Sequence, residues 1–167
     1  MENETLDLEQ EAPKQQKYTT IGGWLIIPVI GLIFTPIAMI IGIVNDLLPA
    51  VTEESLAVFK DPASEFYNPV LPYILYGEIA VNLAFAIFAI VVLIYFFRFK
   101  SQTPVLYISF LASNLLFLVI DGLLILMLGF ENEDGFFTRD ILQLIVGCCI
   151  WIPYFLMSER VKGTFVK

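Results

Sequence analysis

Two carboxylates, Glu78 and Asp121, stand inside otherwise apolar stretches of this 167-residue chain. Each has an amide companion at helical spacing: Asn82 follows Glu78 by four residues, and Asn114 precedes Asp121 by seven. On helices, those spacings draw one polar stripe per helix. Ionised and unpaired at the centre of a bilayer, each acid would cost ~2.5–3.5 kcal/mol or more. No lysine, arginine or histidine shares their stretches at that depth. If the two helices are antiparallel neighbours, the stripes meet and the acids are expected to share or retain a proton. Two chemistries fit: polar contacts that glue helices together, worth ~0.6–2 kcal/mol each, and proton- or cation-coupled movement through the membrane.

Other chemistry lacks its parts. The chain has no histidine, so the commonest general base and metal ligand are both missing. It carries no G-x-S-x-G, P-loop, H-E-x-x-H or dinucleotide fingerprint. Intramembrane aspartyl catalysis needs two facing aspartates, and the apolar stretches hold one. A non-enzymatic protein without metal or cofactor is therefore expected. A net charge of −8 with no basic stripe argues against nucleic acid as a partner. Cys148 and Cys149 are adjacent, so a bridge between them is strained and they read as packing residues.

Apolar blocks position these residues. The hydrophobic fraction is 58% against 16% charged, and the apolar residues gather into four runs: 21–44, 70–97, 104–130 and 141–157. About 20 apolar residues cross a ~30 Å hydrocarbon core. The chain is thus predicted to be an all-α integral membrane protein, a bundle of four transmembrane helices. The spans are placed at about 21–44, 70–98, 104–130 and 138–157, within a domain of residues 20–158. Residues 1–19 read as a disordered acidic tail, and 159–167 as a short basic C-terminus. Counted from the ends of their spans at ~1.5 Å per residue, Glu78 lies ~8–10 Å deep and Asp121 ~12–13 Å deep.

Cations set the orientation. Lys14, Lys17, Arg98, Lys100, Arg160, Lys162 and Lys167 fall on one side, Lys60 and Arg139 on the other. Both termini are therefore expected in the cytoplasm, with the two acids in the outer leaflet. Arg98, Lys100, Arg160 and Lys162 are expected to anchor to headgroups. The outer connection 45–69 contains TEESLAVFK, predicted as a short helix over 52–60 with Thr52 as its cap.

The first span, beginning IGGWLIIPVIGLIFTPI, holds residues that weaken helices. Pro28 and Pro36, with Pro153 in the fourth span, are expected to kink their helices, which a bundle tolerates. Gly31, Thr35, Ala38 and Gly42 recur at 4-3-4 spacing and are expected to form a face for close helix packing. A discontinuous, ion-binding helix is the sharper alternative for this span.

Two stretches carry a resemblance. GGWLIIPVIGL (residues 22–32) and WIPYFLMSERVKGTF (residues 151–165) resemble the small bacterial membrane proteins grouped as domain of unknown function 2569. The resemblance covers most of the chain after Tyr18. It implies a four-span protein of the bacterial cytoplasmic membrane and implies no activity. The expected role is an accessory, regulatory or assembly component that lies in the lipid bilayer and packs with itself or a membrane partner. The alternative is a small proton- or ion-coupled transporter that works as an oligomer.

Overall fold

A computed structural model describes Tyr18, residues 20–128 and residues 136–167. The acidic tail up to residue 17 and most of the expected third connection lie outside the described residues. Among the described residues all regular structure is helical. Four helices are long and apolar enough to cross a membrane: α1 (Gly23–Ala50), α3 (Leu71–Phe97), α4 (Thr103–Met127) and the Arg139–Met157 part of α5 (Phe136–Met157). Two short helices join them, α2 (Glu53–Lys60) and α6 (Glu159–Thr164).

The start of α1 answers part of the proline puzzle. It opens as a 3-10 turn, Gly23–Leu25, with Gly23 at φ 59°, a left-handed conformation suited to glycine. Pro28 is then the third residue of the α-helical run that starts at Ile26. With α1 starting at Gly23, Pro28 falls within its first two turns, just after the 3-10 start. Pro36 and Pro153 are interior to α1 and α5. Beside Pro36, the Thr35 hydroxyl donates to Gly31 O at 2.8 Å, back-bonding along the helix.

α1 also runs past Val44, where the apolar block stops. A π turn at Ile43–Leu47 widens the helix by one residue, and Leu48 N–H donates to Ile43 O. Asn45 and Asp46 stay exposed on that turn, so helix continues without burying them. The helix end is finished by hydroxyls: Pro49 O accepts from Thr52 Oγ1 at 3.2 Å and from Ser55 Oγ at 3.0 Å. Thr52 Oγ1 accepts from Ser55 N and caps α2.

The bundle is a sequence of neighbours: α1 packs along α3, α3 along α4, and α4 along α5. Its buried side chains gather at one end. Leu25, Leu32, Val92, Phe96, Tyr107, Phe155, Val161 and Phe165 are all buried there. Phe96 sits at the centre, its ring edge-on to Tyr107 (5.9 Å), Phe155 (5.9 Å) and Phe165 (5.1 Å). Such edge-to-face pairs suit the quadrupoles of the rings. At the opposite end burial thins to Ile43, Pro72 and Gly122. The bundle has a closed end and an open end.

Backbone hydrogen bonds lock the closed end. α3 stops at a Schellman motif, with Lys100 N to Tyr95 O at 3.2 Å and Phe99 N to Phe96 O at 3.1 Å. The left-handed position, commonly glycine, is Phe99 at φ 53°. The C-terminal segment braces it: Lys167 N donates to Phe99 O at 3.1 Å and Ser101 N to Lys167 O at 2.7 Å. Thr103, fully buried, donates its hydroxyl to Lys100 O at 2.6 Å and is also 3.1 Å from Tyr95 O. Tyr18 N donates to Gly163 O at 3.2 Å, so Tyr18 joins the same knot. Residues 159–167, expected as a short basic tail, are instead a capped helix and strap, with Val161, Thr164 and Phe165 in the core.

Candidate functional site

The open end holds a cleft of about 570 Å³ between α1, α3 and α5. Glu78 and Asn82, one turn apart on α3 and half-buried, face it. Gly42 and Asp46 of α1 and Asp140 of α5 complete its polar lining. A second cleft of about 350 Å³, between α4 and α5, shares Asp140 and adds Gln143. Among the described residues no lysine or arginine lines either cleft. The larger one is in the size range of small-ligand pockets.

Of the two predicted polar stripes, only Glu78 and Asn82 line the larger cleft. Asn114 and Asp121 lie outside the lining of the larger cleft. The amides bond along their own helices, Asn82 Nδ2 to Glu78 O at 2.9 Å and Asn114 Nδ2 to Phe110 O at 3.2 Å. What remains of the expected meeting is the proximity of Asp121 to Glu78, close enough for their charges to interact. Asp46 and Asp140 take the places expected of Asn114 and Asp121. Asp46 falls in the expected outer connection 45–69, and Asp140 lies just ahead of the fourth apolar run, 141–157. One signal pointed to Asp46: the small-residue stripe continued by four residues from Gly42 lands on it.

That stripe does not pack within the chain. Gly31 and Ala38 are exposed, a Cβ on Gly31 would meet nothing within 4 Å, and one on Gly42 would meet only Asp46 Oδ2 at 3.8 Å. The buried side of α1 carries Leu25, Val29, Leu32 and Ile43. Gly31 and Gly42 each precede a buried residue by one position, which turns the stripe by ~100° from the core. Of the expected packing face, Gly31 is left open and Thr35 is half-buried, while Ala38 and Gly42 border the cleft.

A different contact occupies the closed end. The Arg160 guanidinium lies against the backbone of Gly22 and Gly23, so close that a Cβ on Gly22 would fall 2.6 Å from Nη2. Its Cζ is 5.0 Å from the centre of the Tyr18 ring. Arg98, Lys100 and Lys162 are exposed as headgroup anchors should be, whereas Arg160 folds inward onto the start of α1. The clasp joins the two stretches that carry the sequence resemblance. Over residues 18–166 the chain matches the family described as Protein of unknown function (DUF2569). The chain belongs to that family. No curated protein and no solved structure matches it.

The DUF2569 match includes both halves of the clasp, the whole acidic cleft and the aromatic core, and leaves the acidic tail outside. Chemically, the cleft is a negative, partly desolvated surface suited to protons or cations. Among the described residues no group of cysteines and carboxylates has the arrangement to hold a metal ion. Cys148 is buried, with its thiol 3.9 Å from Leu111 O, while Cys149 faces outward; neither is bridged.

Proposed function

We propose that this DUF2569 protein is a multi-pass component of the bacterial cytoplasmic membrane, acting without catalysis as an accessory or regulatory subunit. It packs against a second copy of itself or another membrane protein. The closed end faces the cytoplasm and the acidic cleft opens in the outer leaflet. The cation bias supports that orientation: Arg98, Lys100, Arg160, Lys162 and Lys167 all belong to the closed end. The observation that carries the role is the open face of α1. Between lipid-embedded helices, association rests on van der Waals contact and on small residues that let backbones approach. Gly31, with open space where its Cβ would be, and the exposed Ala38 offer such a face, which continues into the cleft at Gly42.

Gly31→Leu combined with Ala38→Leu tests the proposal. In detergent the isolated chain should keep or raise its thermal midpoint, because neither position supports the internal core. In native membranes, the complex recovered with the affinity-tagged protein should fall about tenfold or more, as expected for ~1.4 kcal/mol or more of lost contact. An undiminished complex overturns the accessory reading.

The carboxylate-lined cleft favours a second reading, a proton- or cation-coupled transporter. In liposomes under an imposed pH gradient, that reading expects proton flux from the native protein and its loss in Glu78→Gln. A silent native protein, or flux indifferent to Glu78, removes it.

A further inference from the structure

The four long helices form an open row, and its two ends, α1 and α5, do not pack along each other. Both contribute walls to the larger cleft, with α3 as the third. Along α1 the approach to that cleft is smooth. Gly31 has open space where a Cβ would be, Ala38 is exposed, and a Cβ on Gly42 would meet only Asp46 Oδ2, at 3.8 Å. From Gly31 to Asp46 this face is ~22 Å long, most of a ~30 Å hydrocarbon core. A groove of that length takes a helix, whereas an ion or a small solute would fill only its charged end.

The charge at that end is all of one sign. Asp46, Glu78 and Asp140 reach the cleft from three helices, and among the described residues no lysine or arginine joins them. Arg139, next to Asp140, is exposed and outside the lining. Glu78 lies seven positions after Leu71, where α3 starts, ~10 Å along the helix axis. An unpaired acid within a membrane is costly, and so is a lone lysine or arginine in a transmembrane helix; each relieves the other. Small residues beside the acids let a second backbone come close enough for that pairing. We infer that the groove between α1 and α5 receives a transmembrane helix of another membrane protein, one that carries a lysine or arginine ~10 Å from its end and sets it among Asp46, Glu78 and Asp140. The inference rests on the accessory role proposed above and adds the chemistry of the partner. A second copy of this chain does not supply such a residue, because its four apolar spans hold one cation, Arg139, at the first position of the last.

The test places the full-length protein in lipid bicelles with a synthetic leucine–alanine helix of about 22 residues, carrying lysine or leucine at about the seventh position from one end. Energy transfer from a donor on the protein to an acceptor on the peptide reads association. The lysine peptide should bind about ten- to hundredfold more tightly than the leucine peptide, as for a charged hydrogen bond gained. Glu78→Gln with Asp46→Asn should remove that preference. Glu53→Gln, which neutralises an exposed acid of α2 outside the cleft, should change it less than about twofold. Gly42→Leu keeps every acid, has room for its Cβ and fills the groove; it should weaken the lysine peptide about tenfold or more. Equal binding of the two peptides leaves the groove to lipid and overturns the inference. A preference that survives the double acid variant, or that Glu53→Gln lowers as much, marks diffuse attraction and overturns it too. Transfer between two copies of the protein that exceeds transfer to the lysine peptide gives the groove to a second copy, with the same consequence. Should the double acid variant fail to fold, Gly42→Leu decides alone: unchanged binding in it overturns the groove. A native complex that depends on Gly31 and Ala38, with no lysine preference in bicelles, sinks this inference and leaves the accessory role standing.

Discussion

Phe96→Ala is expected to lower unfolding stability in detergent by about 3–5 kcal/mol, the usual cost of emptying a buried aromatic position. Phe97→Ala, one residue further on, should change it by less than about 0.5 kcal/mol. The two side chains are chemically identical and differ in what they touch. Phe96 is 0% exposed and its ring meets α4, α5 and the C-terminal strap at once; Phe97 is 55% exposed on the outer face of α3. Lipid tails are as apolar as phenylalanine, so removing Phe97 exchanges one greasy contact for another. Removing Phe96 leaves three aromatic partners without their neighbour, and no lipid chain can reach the gap. Titration of the folded helix signal against a denaturing detergent would compare the two. Equal effects would contradict a core concentrated at the closed end.

Gly23→Ala is expected to have the next largest effect, about 1–2 kcal/mol of destabilisation. Gly23 has φ 59°, and a side chain there must adopt the left-handed conformation while the 3-10 turn and the Arg160 contact hold the backbone in place. Gly31→Ala provides the contrast. Gly31 is helical with open space where its Cβ would be, so alanine should be neutral or stabilise by up to about 1 kcal/mol through helix propensity. Thermal midpoints of the two variants should therefore move in opposite directions. A larger loss from Gly31→Ala than from Gly23→Ala would mean that the stripe packs inside the chain after all.

The contrast between those glycines shows where sequence pattern stopped being informative. Spacing of 4-3-4 correctly puts Gly31, Thr35, Ala38 and Gly42 on one face of a helix. Nothing in that spacing says which way the face points. The neighbouring register, occupied by Leu25, Val29, Leu32 and Ile43, won the core because its longer side chains fill the space against α3. Phe99 was hidden for a related reason. A left-handed helix stop is commonly signalled by glycine, and here backbone bonds from Lys167 hold a phenylalanine in that conformation.

From residue order alone came the four long helices, the short helix after Thr52 and the ends of α3, α4 and α5 to within a few residues. A segment able to cross hydrocarbon must satisfy its own backbone and present apolar side chains. Composition reports both. Tertiary structure alone decided which acids share a cleft and where Arg160 goes. Helix α1 runs on through the π turn, which carries Asp46 out of the expected connection and into the cleft with Glu78. Asp140 joins them through the placement of α5, and Arg160 finds Gly22–Gly23 only because the C-terminal strap folds back across the closed end. Rotation about helix axes and the return path of a strap depend on contacts between residues from about thirty to well over a hundred positions apart, and hydropathy is blind to both.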